Sequence, residues 1–82
     1  MKKKKINIDL EFMKSVFKKS LNNKSNLKLT SKFEEVSGWD SLGHMRVISE
    51  IEKRLKISFE IDEIVGVDTV KKLIVMTKNK NS

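Results

Sequence analysis

The stretch GWDSLGHMRVISEIEKRL, residues 38–55, combines a helix pattern with the chain's only tryptophan and only histidine. From Ser41 to about Leu55, apolar residues recur at steps of three and four, which predicts an amphipathic helix. The predicted apolar stripe consists of Leu42, Met45, Ile48, Ile51 and Leu55, flanked by Val47. The predicted outer face carries Arg46, Glu50, Lys53 and Arg54. Asp40 lies where the N-cap of this helix belongs.

Another amphipathic helix, of about four turns, is predicted earlier in the chain, before this stretch. Its apolar positions are Ile6, Leu10, Met13, Phe17 and Leu21, with Val16 beside them. The polar segment NNKSN, residues 22–26, ends the helix and begins a long loop that leads to GWDS. Loops of more than about 12–15 residues are uncommon in compact domains and are often functional. Leu27, Leu29 and Phe33 are expected to attach this loop to the core.

Shorter elements are predicted after residue 55. KISFE, residues 56–60, alternates like a strand but has no partner strand, so we expect an extended connector that buries Ile57 and Phe59. IDEIVGV, residues 61–67, predicts a short helical turn capped by Asp62 and ended by Gly66. A last helix is predicted over residues 69–78. Its buried face is expected to contain Val70, Leu73, Ile74 and Thr77.

Together these elements predict an all-α fold, a small bundle of three main helices plus one short helical turn, with a long loop between helix 1 and helix 2. The chain of 82 residues is expected to form a single domain over residues 1–82. Residues 1–5 and 79–82 are expected to be flexible ends. Without cysteine, the chain has no disulfide or cysteine-ligated metal site, and one histidine with scattered carboxylates predicts no metal site of another kind.

The net charge of +7 is unevenly distributed along the chain. Residues 1–33 are strongly basic, residues 34–68 are net acidic, and the last part is basic again. Of the 18 cationic residues, only Arg46 and Arg54 are arginines, whereas base-reading interfaces favour the planar guanidinium. We therefore expect no nucleic-acid partner, although a basic helical nucleic-acid-binding module remains the rival from a different class. Because charges interrupt the apolar residues after Lys2–Lys5, neither a signal peptide nor membrane insertion is expected, which favours a cytoplasmic protein.

The position of Ser41 has a chemical consequence. As the first residue of the predicted helix, it lies beside N–H groups that lack intrahelical partners and at the positive end of the helix dipole. A phosphate esterified to its Oγ would lie on those groups. Ordinary capping explains Asp40 and Ser41 but not Gly43, which costs about 1 kcal/mol relative to alanine in a helix and so indicates a close approach to the backbone.

A catalytic role for Ser41 is the weaker interpretation. A hydrolase needs a base and an orienting acid placed around the nucleophile. His44, three residues on, shares the helix face with Ser41 instead of facing it across a cleft. We therefore expect His44 to be a surface or interface residue and Trp39 to be a hydrophobic plug under the loop.

WDSLGHM, followed by VISEIEKRLKISFEIDEIVGVDTVKKLI, resembles the acyl carrier protein family with its Asp-Ser-Leu attachment motif. The resemblance implies a non-catalytic carrier whose Ser41 receives 4′-phosphopantetheine from coenzyme A through a phosphopantetheinyl transferase. Cargo is then held as a thioester. It further implies that Asp40 supports the transferase site through Mg²⁺ and that Gly43 belongs to the cofactor site. The implied docking face consists of Leu42, Met45, Arg46, Val47 and Glu50.

The charge of the second helix departs from that family's housekeeping members. Carriers of fatty-acid synthesis are strongly acidic and dock on basic patches, whereas this helix mixes Arg46 and Lys53 with Glu50 and Glu52. We therefore expect a monomeric carrier for a specialised pathway, served by acyl-activating and acyl-transfer enzymes. An aminoacyl or D-alanyl carrier, with the same arm and another thioester, is the alternative.

Overall fold

A computed structural model describes residues 7–22 and 27–81. Along these residues lie α1 (Leu10–Leu21), a 3₁₀ turn (Phe33–Glu35), α2 (Ser41–Leu55), α3 (Ile61–Val65) and α4 (Val70–Asn81). Three main helices, one short helix and no strand within the described ranges confirm the predicted all-α bundle. The expected flexible segment 1–5, together with Ile6, residues 23–26 and Ser82, lies outside the described residues.

Helix α1 is shorter at its start than its apolar pattern predicted. Asp9 adopts an extended conformation and its carboxylate accepts a hydrogen bond from the Phe12 N–H at 3.0 Å, so the helix begins at Leu10. Asn22 ends it in the left-handed conformation, with φ of 53°. Met13, Val16 and Phe17 face the core, and Ile8 is buried ahead of the helix.

Helix α2 has the predicted bounds but a different buried face. Its buried residues are Gly43, His44, Val47, Ile48 and Ile51. Leu42 and Met45, predicted in the apolar stripe, are 65% and 45% exposed. The prediction was wrong by one helical position because it counted His44 as polar and therefore placed the stripe around Leu42 and Met45. The exposed side instead contains an apolar pair next to Ser41.

The long loop is held against the start of α4 by backbone hydrogen bonds. The Phe33 N–H donates to the Asp68 carbonyl at 2.8 Å, and the Val70 N–H donates to the Ser31 carbonyl at 3.0 Å. Leu27 is buried as expected, but Leu29 is 45% exposed. Leu29 contributes its carbonyl instead, which accepts from the Lys71 N–H at 3.0 Å. The loop is therefore anchored by backbone pairing as well as by side chains.

The connector and α3 follow the prediction except at the helix start and at Ile57, which is only partly buried. Phe59 is buried, and its N–H donates to the Glu52 carboxylate at 2.9 Å. Helix α3 is capped by Glu60 and not by Asp62, because Glu60 and Glu63 form a reciprocal capping box. Gly66 ends α3 as predicted.

Helix α4 continues three residues beyond the predicted end. Residues 79–81, expected to be flexible, are helical, and Lys80 Nζ lies 3.0 Å from Glu63 Oε1. Val70, Leu73, Ile74 and Thr77 are buried as predicted. Within residues 7–22 and 27–81, no helix is long and apolar enough to cross a membrane.

Candidate functional site

The N-terminus of α2 presents Ser41 at the end of the long loop. Asp40 is the N-cap: its Oδ1 accepts the Gly43 N–H at 2.8 Å, and its carbonyl accepts the His44 N–H at 2.7 Å. Among the described residues, no acceptor is found for the Ser41 and Leu42 N–H groups of the first turn. These two groups are therefore available to bind an anion. The side chain of Ser41 is exposed.

Gly43 accommodates the protein's own loop. A Cβ at this position would lie 1.9 Å from the Gly38 carbonyl oxygen and 3.0 Å from Leu21 Cδ2. Gly38 itself has φ of +84°, which favours glycine. The close backbone approach predicted for Gly43 therefore exists, but the approaching group is Gly38. Gly43 is buried, and its lack of a side chain lets the Gly38 carbonyl pack against α2 beneath Ser41.

His44 is buried beneath the site and is not a surface residue. The Trp39 indole N–H donates to His44 Nδ1 at 2.9 Å, and His44 Nε2 lies 3.0 Å from the Ile64 carbonyl oxygen. Because an indole N–H can only donate, Nδ1 is the acceptor and Nε2 carries the proton that is donated to Ile64. His44 thereby joins the loop, the first turn of α2 and α3. With both ring nitrogens engaged, it has no atom to offer Ser41 as a base.

Aromatic rings complete the support under the loop. Trp39 is 2% exposed, as its predicted role of plug requires. Its ring packs edge-on against Phe17 and Phe33, with centroids 4.9 and 5.3 Å apart. Phe33 also packs edge-on against His44 at 5.5 Å. Such contacts add about 0.5–1.5 kcal/mol each beyond the burial of area, so the approach to Ser41 is a packed structure.

The residues predicted for docking divide into two groups. Leu42, Met45 and Arg46 are exposed on one side of α2. Val47 is fully buried, so its predicted docking role is wrong; it lies on the same face as His44 and packs in the core. Glu50 is only 15% exposed at its side chain because Oε2 accepts a hydrogen bond from Arg54 Nε at 2.7 Å.

Arg54, predicted to lie on the outer face, connects α2 to α1. Its guanidinium donates from Nη1 to Ser15 Oγ at 2.9 Å and lies 5.8 Å from the centre of the Phe12 ring. The hydrogen bond from Arg54, more than the charges of Arg54, Lys53 and Lys19, lowers the pKa of Glu50 below its usual 4.5. The i, i+4 spacing of Glu50 and Arg54 is the sequence signal for this pair, but it does not reveal the contact with α1.

The arrangement suits attachment better than catalysis. It provides an exposed hydroxyl, two first-turn N–H groups and a packed structural support beneath them. Both nitrogens of the neighbouring His44 imidazole are engaged in structural hydrogen bonds. Within the described part of the chain, no group of three or more histidine and acidic side chains is placed to hold a metal ion.

Comparisons with known proteins agree with this geometry. The family model "Phosphopantetheine attachment site" matches residues 11–75. The solution NMR structure of holo acyl carrier protein from Geobacter metallireducens superimposes with a TM-score of 0.78 and 26% identity, covering 87% of this chain and 83% of that one. No curated protein matches the chain significantly. The chain belongs to the phosphopantetheine-attachment family of acyl carrier proteins, whose members carry 4′-phosphopantetheine covalently.

Proposed function

We propose that residues 1–82 form one carrier domain that holds acyl groups as thioesters on a 4′-phosphopantetheine arm attached to Ser41. The observation that carries the proposal is the placement of Ser41, an exposed hydroxyl on the first residue of α2. The N–H groups of Ser41 and Leu42, at the positive end of the helix dipole, favour a phosphodiester at this point. The protein itself supplies no catalysis.

Loading of the arm needs only a reachable hydroxyl from this chain. Ser41 Oγ attacks the phosphorus that bears the pantetheine part of coenzyme A and forms a new P–O bond. The pyrophosphate bond breaks, adenosine 3′,5′-bisphosphate leaves, and the hydroxyl proton passes to a base of the transferase. Asp40 precedes Ser41 directly and remains exposed while Oδ1 caps the helix. We propose that its carboxylate assists a Mg²⁺ ion bound by the transferase.

The charge of α2 supports a specialised pathway over housekeeping fatty-acid synthesis. Glu50 is paired with Arg54 and Glu52 accepts the Phe59 N–H, so both acids of the helix middle are engaged within the protein. Arg46 and Lys53 are exposed. A partner with a basic docking patch would meet cations here, which disfavours its association.

Intact-mass measurement tests the attachment point. The protein is incubated with coenzyme A and a broad-specificity phosphopantetheinyl transferase, beside Ser41→Ala and the matched control Ser49→Ala. Ser49 is also exposed on α2, two turns further along. We expect one phosphopantetheine increment on the wild type and on Ser49→Ala and none on Ser41→Ala. A Ser41→Ala protein that still gains the increment would refute the assignment.

A further inference from the structure

One surface of the molecule combines exposed apolar side chains with cations that form no ion pair within the described ranges. Leu42 and Met45 of α2 share a shallow groove of about 450 Å³ with Lys19 of α1 and with Arg46 and Lys53 of α2. We call these five residues the cationic face. Leu42 follows Ser41 directly, so the cationic face begins at the proposed attachment point.

The charge of the cationic face is not neutralised from within. Glu50 also borders the groove, but its carboxylate is bound to Arg54 at 2.7 Å. Within the described ranges, the ion pairs involve other residues, and none engages Lys19, Arg46 or Lys53. Three cations therefore line the same groove as the two apolar side chains, and the one acid that borders this groove is hydrogen-bonded to Arg54.

We propose that the cationic face docks partner enzymes through a patch of carboxylates beside an apolar recess. This inference rests on the proposed function, since a partner seated here would receive the arm from Ser41. Leu42 and Met45, 65% and 45% exposed, supply the apolar contact at the end next to Ser41. Lys19, Arg46 and Lys53 supply the charges, which affect association rate and partner choice.

A protein partner suits this surface better than a polyphosphate does. A nucleic-acid backbone gains its affinity from neutralised phosphates and offers nothing to an exposed leucine and methionine. Protein interfaces, in contrast, bury apolar residues together with polar and charged ones. The position next to the arm also matches a surface that must orient Ser41 toward an active site.

A charge-reversal experiment tests the docking inference. The probes are a malonyl transferase of fatty-acid synthesis with a basic carrier-binding patch and its variant with glutamates in that patch. The acceptors are the holo protein, a Lys19→Glu/Arg46→Glu/Lys53→Glu variant and the matched control Lys28→Glu/Lys71→Glu/Lys78→Glu. The control changes the net charge equally at exposed positions outside the cationic face. Malonyl transfer is followed by intact-mass measurement. The Kd of each carrier–enzyme pair is measured with the holo carrier before malonyl loading.

The inference predicts an inverted preference. Wild type and the control variant should favour the acidic enzyme by about tenfold or more in rate and Kd, whereas the face variant should favour the basic enzyme. The differences should shrink as salt rises, because screening weakens the charge interaction.

Three results would overturn the inference. Equal use of both enzymes by all three carriers would refute it while leaving attachment at Ser41 intact, since the holo samples already carry the arm. Binding to DNA or to anionic lipid vesicles that the face substitutions abolish, with no gain for the acidic enzyme, would assign the face to phosphate groups instead. Absence of any arm on Ser41 would refute both proposals.

Discussion

Replacing Gly43 by alanine tests whether the Gly38 carbonyl fixes the loop beneath Ser41. The added Cβ would lie 1.9 Å from that carbonyl oxygen, although Cβ atoms essentially never approach other atoms within 3.0 Å. The backbone of the loop must therefore move by about 1 Å. Overpacking costs about 1–3 kcal/mol and sometimes more, and the obstruction here is backbone and not a flexible side chain.

The expected magnitude includes an opposing contribution. Alanine stabilises the helix by about 1 kcal/mol relative to glycine. Subtracting this gain from an overpacking cost of about 3 kcal/mol leaves a fall of about 2 kcal/mol in the free energy of unfolding. For a domain of this size, that corresponds to a fall in Tm of about 8–16 °C. Thermal and urea unfolding followed by helical circular dichroism, with fluorescence of the buried Trp39, measures it.

Gly66→Ala is the matched control. Gly66 has φ of −83°, and a Cβ there would meet its nearest atoms at 3.5 and 3.7 Å, which is ordinary contact. This variant should be unchanged or more stable by about 0.4–1 kcal/mol. If Gly43→Ala were as stable as Gly66→Ala, the loop carbonyl would not be packed against α2 as described and the reasoning would be refuted.

Three further predictions, made with four substitutions, test the support of the site. His44→Ala leaves the Trp39 N–H without its partner in the core and should cost about 2–4 kcal/mol in urea unfolding; an unchanged midpoint would contradict the buried bridge. Glu50→Gln should cost about 1 kcal/mol at neutral pH. Because folding lowers the pKa of Glu50, its stabilisation is present above the unfolded value and lost as pH falls through the folded one. The difference from wild type should therefore shrink in acid titrations below about pH 4.5, and a constant difference would count against it. Val47→Ala should cost about 1–3 kcal/mol while Leu42→Ala stays within about 0.5 kcal/mol; the reverse order would mean that the buried face of α2 is misassigned.

Local signals accounted for the helices because they depend on neighbouring residues. The bounds of α2 follow from Asp40 as cap and from the apolar spacing, and the structure confirms them. Gly43 correctly indicated a close approach, although only the tertiary structure identifies Gly38 as the approaching group. These features could be predicted because capping and helical periodicity act within a few residues.

The face of α2 could not be assigned from local signals alone. Histidine is counted as polar, yet His44 is buried because Trp39 and the Ile64 carbonyl, 5 and 20 residues away, satisfy its ring nitrogens. With His44 buried, the buried face of α2 lies one helical position away from the predicted one, and Val47 belongs to the core. The exposed positive charge of the cationic face likewise depends on the ion pair between Arg54 and Glu50. Arg54 is positioned for this pair by its hydrogen bond to Ser15 of α1. Hydrogen bonds between residues distant in the sequence thus determine which face of α2 is buried, and the apolar periodicity alone does not reveal it.

The most direct measurement of the central claim is the location of the arm on the wild-type protein. After incubation with coenzyme A and a phosphopantetheinyl transferase, the protein is digested and the peptide containing residues 39–46 is fragmented in a mass spectrometer. We expect a single phosphopantetheine group on Ser41 in that peptide. An arm on another hydroxyl, such as Ser49, or an unmodified chain under conditions that load a control carrier, would contradict it.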